Sequence, residues 1–261
     1  MSWFTPVAHL AGNECRWLLR PGRLAVAVGP VVVISLINMQ GALLEVTRFQ
    51  GSLIMNASSW LPLAIPLFAG ITAGSLAEDR RRGFTLTIFA RGLSRSQYFL
   101  AKGLGAAASS ALVTMAGLAT FFLLAWFMLP AGQSSCPPEP DYPGPVPALF
   151  QASPLGNDLL SAAMYVTAAA ALSLTGVLAS AAGANEYIAM LAPLLVALLG
   201  LFAPDRLYGQ LNPFTYLNLS DAYAPVFPEG QRPYAAFVYW LVFGSCAALL
   251  GNWIFARREL A

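Results

Sequence analysis

Charge is what this sequence has least of. Asp, Glu, Lys and Arg make up 10% of its 261 residues, against 57% hydrophobic, where a soluble domain carries about 25% charged residues. A water-soluble fold could hardly cover its surface with so few ionised groups, so lipid must be the solvent for most of the chain. Histidine is nearly absent: His9 is the single one, it falls on a wet helix face, and it has no evident role. No paired carboxylates are evident at membrane depth, so metal or acid–base catalysis has no obvious residues. There is no G-x-x-x-x-G-K-[ST], G-x-G-x-x-G, H-E-x-x-H or G-x-S-x-G stretch, which excludes the usual phosphate-cradling loops, the zinc helix and the nucleophile elbow. The expectation is a chain that is not an enzyme and binds no cofactor or metal itself. Cysteine is scarce too. Cys15, Cys136 and Cys246 fall in three compartments of the expected topology, so no intrachain disulfide is expected; Cys136 is the one placed to pair across a dimer.

The few charges are bunched, and the gaps between them are long. From Arg23 to Glu45 there are 21 uncharged residues, and similar gaps recur along the chain. A helix crossing the bilayer core needs about 20 apolar residues. The runs are continuously apolar rather than alternating, which excludes a membrane β-barrel and leaves helices. Six spans are expected at Leu24–Leu44, Trp60–Ala77, Lys102–Leu129, Leu159–Ala182, Tyr187–Ala203 and Ala235–Ala256. The fold class is thus all-α integral membrane, one transmembrane domain over 1–261. No cleavable signal peptide is read in residues 1–23. Lys and Arg divide unequally between the two sides: 11 of 14 fall with the termini and the loop after the second span, and only Arg48, Arg206 and Arg232 fall opposite. The positive-inside rule then places a multi-pass protein in the cell membrane with both termini cytoplasmic.

Residues 1–23 read as an amphipathic helix lying in the interface. Phe4, Val7, Ala8, Ala11, Cys15 and Leu18 share one face, with Ser2, Thr5, His9, Asn13, Arg16 and Arg20 opposite. No ionisable side chain falls in the middle of any expected span, unlike most proton-coupled pumps and ion channels. Gly70 and Gly74 form a GxxxG that allows close helix contact. The external loop 130–156 holds eight prolines, a density that favours extended chain. Segment 205–234 alternates aromatics with prolines and is expected to be partly re-entrant, turning at Asn212-Pro213. The cytoplasmic loop 78–102 opens with Glu78-Asp79-Arg80-Arg81-Arg82-Gly83, and Phe84, Leu86, Ile88 and Phe89 follow among threonines as a short surface helix. Ser94 and Gln97 have the form of a capping box, so the third membrane helix should start near Arg95 and protrude from the bilayer.

The stretches Glu78–Leu86 and Ala90–Lys102, together with Leu211-Asn212-Pro213-Phe214-Thr215-Tyr216, resemble the pattern of ABC-2 (type V) exporter permeases. There an acidic-plus-glycine turn leads into a "tRPvSR…K" segment, and an "l-NP-l-x-Y" element follows the fifth span. Gly92, where the family more often has proline, and the long loop 130–156 depart from that pattern. The resemblance implies a permease subunit that pairs with a second permease chain, identical or paralogous, in membrane lipid. It further implies two cytosolic ABC ATPase subunits that hold ATP and Mg²⁺, and export of an amphiphile such as a lipid, peptide or drug-like molecule. Glu78, Asp79, Arg80, Arg81, Arg82, Gly83 and Phe84 would be the ATPase-coupling element, and no nucleic acid would be bound. The arginines alone would also serve to anchor the second span to anionic lipid. A non-transporting membrane scaffold or sensor, or a lipid-modifying membrane enzyme, are the alternative readings.

Overall fold

A computed structural model describes residues 4–22, 24–25, 28–30, 32–33, 61–90, 92–128, 152–202, 211–217 and 232–257. Among them every regular element is a helix: α1 (Phe4–Leu18), α2 (Leu61–Ala73), α3 (Ser75–Arg81), α4 (Phe84–Ala90), α5 (Arg95–Met128), α6 (Pro154–Ala181), α7 (Glu186–Leu201) and α8 (Arg232–Arg257). Short polar residues set several of the starts. Ser94 and Gln97 close the expected capping box in both directions: the Gln97 N–H donates to Ser94 Oγ at 3.2 Å and the Ser94 N–H to Gln97 Oε1 at 3.1 Å. Ser153 Oγ accepts from the Gly156 N–H ahead of Pro154, and Asn185 Oδ1 accepts from the Ile188 N–H. Helix α5 therefore begins at Arg95 and runs 34 residues, about 51 Å at 1.5 Å per residue.

Four stretches are long and apolar enough to cross a membrane: Leu61–Arg81, Arg95–Leu124, Leu155–Ala181 and Ala235–Arg257. They match the second, third, fourth and sixth expected spans. The fifth, Tyr187–Ala203, corresponds to α7, whose 16 residues reach only about 24 Å, short of a core of about 30 Å. The first, Leu24–Leu44, lies mostly outside the described residues, as do Cys136 and most of 130–156 and 205–234.

Helix α6 is the hub, packing against α2, α5, α7 and α8. Leu61, Ile65, Phe68, Val113, Met164, Leu172 and Trp240 fill the space between these helices. Outward faces carry Leu67, Phe127, Leu199, Phe202, Leu241 and Leu249 exposed, a surface that suits lipid chains and not water. Small residues set the tightest contacts. A Cβ at Gly70 would fall on the Met190 carbonyl, and one at Gly74 would come within 2.8 Å of Met190 Cγ. The GxxxG stripe is thus the seam between α2 and α7.

The helices alternate in direction, so one end of the bundle collects the start of α5, the end of α8, helix α3 and the turn before α7. Arg80 donates to the Ala184 carbonyl at 3.0 Å, Arg81 pairs with Glu186 at 3.3 Å, and Arg95 donates to the Ala256 carbonyl at 3.3 Å. The basic loop residues 80–82 and the basic ends of α5 and α8 are therefore neighbours. At the opposite end Asn212 is buried. It donates to the Gly200 carbonyl at 2.8 Å and accepts from the Phe214 N–H at 2.9 Å. Residues 213–217 form successive tight turns there, Tyr216 stacks on Tyr239 at 4.0 Å between ring centroids, and burial raises the Tyr216 phenol's pKa above its ordinary value.

Candidate functional site

Gly74 interrupts the second membrane stretch, and the chain continues as α3, ends at Gly83 with φ 72°, and turns back as α4. A positive φ there suits glycine, which lacks the Cβ that would clash. This elbow brings Asp79 against the first turns of α5. Lys102 lies two turns into α5, and α1 lies along the same helix. A Cβ at Gly105 would stand 2.7 Å from the Glu14 Cβ, so glycine lets α1 approach closely enough for Glu14 to reach Lys102.

The result is a buried ionic cluster from three elements. Lys102 Nζ lies 2.5 Å from Glu14 Oε2 and 2.7 Å from Asp79 Oδ2. The Tyr98 hydroxyl donates to the same Asp79 Oδ2 at 2.6 Å. The Lys102 and Glu14 side chains are each only 9% exposed. Charges this dry persist only when paired and hydrogen-bonded. One acceptor is left over: Glu14 Oε1 is sealed from solvent and has no hydrogen-bond partner among the described residues. Beside the cluster opens a cleft of about 450 Å³, lined by Leu10, Trp17, Phe84 and Arg82 as well as the ionic groups.

The sequence alone did not reveal this centre. Glu14 and Asp79 converge on one lysine at the basic end of the bundle, a meeting that their positions in the sequence do not announce. On α1 the buried stripe is Val7, Glu14 and Leu18, with Ala11 and Cys15 partly covered, while Ala8 is exposed. The reason is contact with α5, which turns the packed face toward Glu14. Thr5, His9, Asn13, Arg16 and Arg20 are exposed or wet-facing, as expected.

The seven residues expected to couple to an ATPase divide. Glu78 is buried and pairs with Arg82 at 2.5 Å, one helical turn away. Asp79 is held by Lys102 and Tyr98, and Arg80 by the turn before α7. Arg81 and Arg82 have side chains 64% and 49% exposed, and Phe84 is half exposed. The acidic pair thus faces inward and fastens the elbow, while Arg81, Arg82, Gly83 and Phe84 form its outer surface. Asn212 and Pro213 lie at the far end of the bundle and take no part in this centre. The signal that could have flagged Glu14 is its spacing: Val7, Ala11, Glu14 and Leu18 lie at i, i+4, i+7 and i+11, one face of a helix. Compared with known protein families and with curated proteins, the chain matches none.

Proposed function

We propose that this chain is the membrane-spanning permease subunit of an ATP-driven exporter of the ABC-2 type. In this reading it has six spans with both termini cytoplasmic, and its elbow α3–α4 receives a cytosolic ATPase. The observation that carries the reading is the elbow itself. It offers an apolar anchor, Phe84, beside two exposed arginines at the basic end of the bundle, the apolar-centre and polar-rim character of a protein interface. Its inner side is fastened to α5 by the Asp79–Lys102 ion pair, and the same lysine holds Glu14 of α1, so a push on the elbow reaches the membrane helices directly. The cargo is an amphiphile in this reading, because the described outward helix faces carry apolar side chains such as Leu67, Phe127, Leu199 and Leu241.

The test is purification of the tagged chain from its native membranes in mild detergent. The expected result is co-purification of a subunit with a Walker A motif and ATP hydrolysis by the complex. Phe84→Asp combined with Arg81→Glu should release that subunit while the chain remains inserted. A chain that purifies without a nucleotide-binding subunit under conditions that preserve its own oligomer would sink the exporter reading.

A further inference from the structure

Helices α5 and α8 meet tightly at the basic end of the bundle. A Cβ at Gly251 would stand 2.5 Å from the Phe99 ring, and the Tyr98 and Phe99 ring centroids lie 6.1 and 5.8 Å from that of Phe255. Above this aromatic floor the start of α5 and the end of α8 come side by side. Arg95, the first residue of α5, donates to the Ala256 carbonyl at 3.3 Å and so satisfies one of the last carbonyls of α8. The next residue, Arg257, lays its guanidinium over the Trp253 ring, 4.4 Å from the centroid. Two guanidinium groups from two helices are thus anchored on consecutive residues of α8. Stacking engages the flat face of the Arg257 guanidinium and leaves its in-plane N–H donors for an anion. No carboxylate among the described residues pairs with Arg257. The acids described at this end, Glu14, Glu78, Asp79 and Glu186, each already have a basic partner, and Arg258 and Glu259 follow with no net charge. Beneath the arginines Leu249, Leu250 and Trp253 face outward. The stretch of α8 that is long and apolar enough to cross a membrane ends at Arg257. A bilayer around the helix therefore sets that guanidinium at headgroup level and the leucines among acyl chains.

We propose that the paired ends of α5 and α8 bind an anionic phospholipid of the phosphatidylglycerol type. The lipid phosphate accepts hydrogen bonds from Arg257 and lies in the field of Arg95, while an acyl chain packs along Trp253, Leu250 and Leu249. An uncharged glycerol head leaves the negative charge of the phosphate intact. A choline head adds a quaternary ammonium that the two arginines repel, so a zwitterionic lipid is held more weakly. The lipid source, rather than a free phosphate, follows from the apolar face directly beneath the arginines. The site is separate from Arg81 and Arg82 of the elbow, which are paired with Glu186 and Glu78, and it does not depend on the chain being a permease.

The experiment uses the purified, delipidated full chain and native mass spectrometry. Phosphatidylglycerol and phosphatidylcholine with identical acyl chains are titrated separately. The glycerol lipid is expected to bind at least about tenfold more tightly, since each arginine near the surface contributes about fivefold. Arg257→Gln should lower that preference about fivefold. Trp253→Leu keeps the face apolar but removes the ring that holds Arg257, and it should lower the preference severalfold. Arg81→Gln removes a charge from the same end of the bundle at a different place and should leave the preference unchanged. Arg257 and Trp253 are both exposed, so their variants should fold, and the comparison of lipids on the unmodified chain needs no variant. Equal affinity for the two lipids overturns the proposal. So does a preference that survives both Arg257→Gln and Trp253→Leu, or one that Arg81→Gln lowers as much as Arg257→Gln. Soluble glycerol phosphate competing as strongly as the lipid overturns the lipid source.

Discussion

Lys102 holds two carboxylates on one ammonium, so its removal strands both. Replacing one partner of a buried ion pair typically costs about 3–5 kcal/mol, because a dry charge is left uncompensated. Lys102→Met is therefore expected to lower the thermal midpoint of the detergent-solubilised chain sharply. The triple variant Glu14→Gln, Asp79→Asn, Lys102→Met should recover much of the loss, since no naked charge remains. A single variant as stable as the parent would mean that water reaches the cluster freely. By contrast, Arg81→Gln removes only a pair whose arginine is 64% exposed, and surface pairs contribute about 0–1 kcal/mol. Its midpoint should move little. The cluster was hidden in the sequence because Glu14 and Lys102 are 88 positions apart. Its place on the stripe of Val7, Ala11 and Leu18 sets Glu14 inward, but its partner Lys102 emerges only when α1 is laid on α5.

At the level of elements, the close approach of α1 to α5 rests on Gly105. The Cys15 Sγ lies 3.5 Å from the Gly105 carbonyl, which makes Cys15 a reporter of that seam. Gly105→Leu should wedge α1 outward, and Cys15 in a Cys136→Ala, Cys246→Ala background should then react with a polar maleimide at least severalfold faster. An unchanged rate would show that α1 is not seated there. At the start of α5, Ser94→Ala opens one side of the capping box. The cost should be about 1 kcal/mol, read from the unfolding midpoint. The boundary at Arg95 was legible because a capping box is a local signal, satisfied within four residues. The long apolar runs were legible for the same reason: each needs only its own composition. The inward turn of Glu78 and Asp79 was not, because it depends on the break at Gly74 and on partners in other helices.

For the molecule as a whole, the basic side chains at 80–82, 95, 102 and 257 share one end with the turn at 182–185. The positive-inside rule predicts a cytoplasmic location for that end. Single cysteines at position 93, in the turn before α5, and at position 136 should therefore label from opposite sides of sealed vesicles. Labelling of both from one side would refute the alternating layout. The helical class and four of the spans could be read from composition alone. The fifth was harder, because α7 is short for a bilayer and is held by its seam with α2 rather than by length.

Helix α5 has a mechanical consequence. It is an unbroken rod of 34 residues, about 51 Å long, and its interior contains no proline. Rocking such a rod by about 10° around its midpoint swings each end by about 4 Å. Lys102, about 14 Å from the midpoint at 1.5 Å per residue, moves about 2.5 Å in that swing, and it clasps α1 and the elbow together. A displacement of that size exceeds the reach of an ion pair, so the two attached pieces must either travel with the rod or let go. In such a rocking the cluster would act as a clutch near the end of a lever.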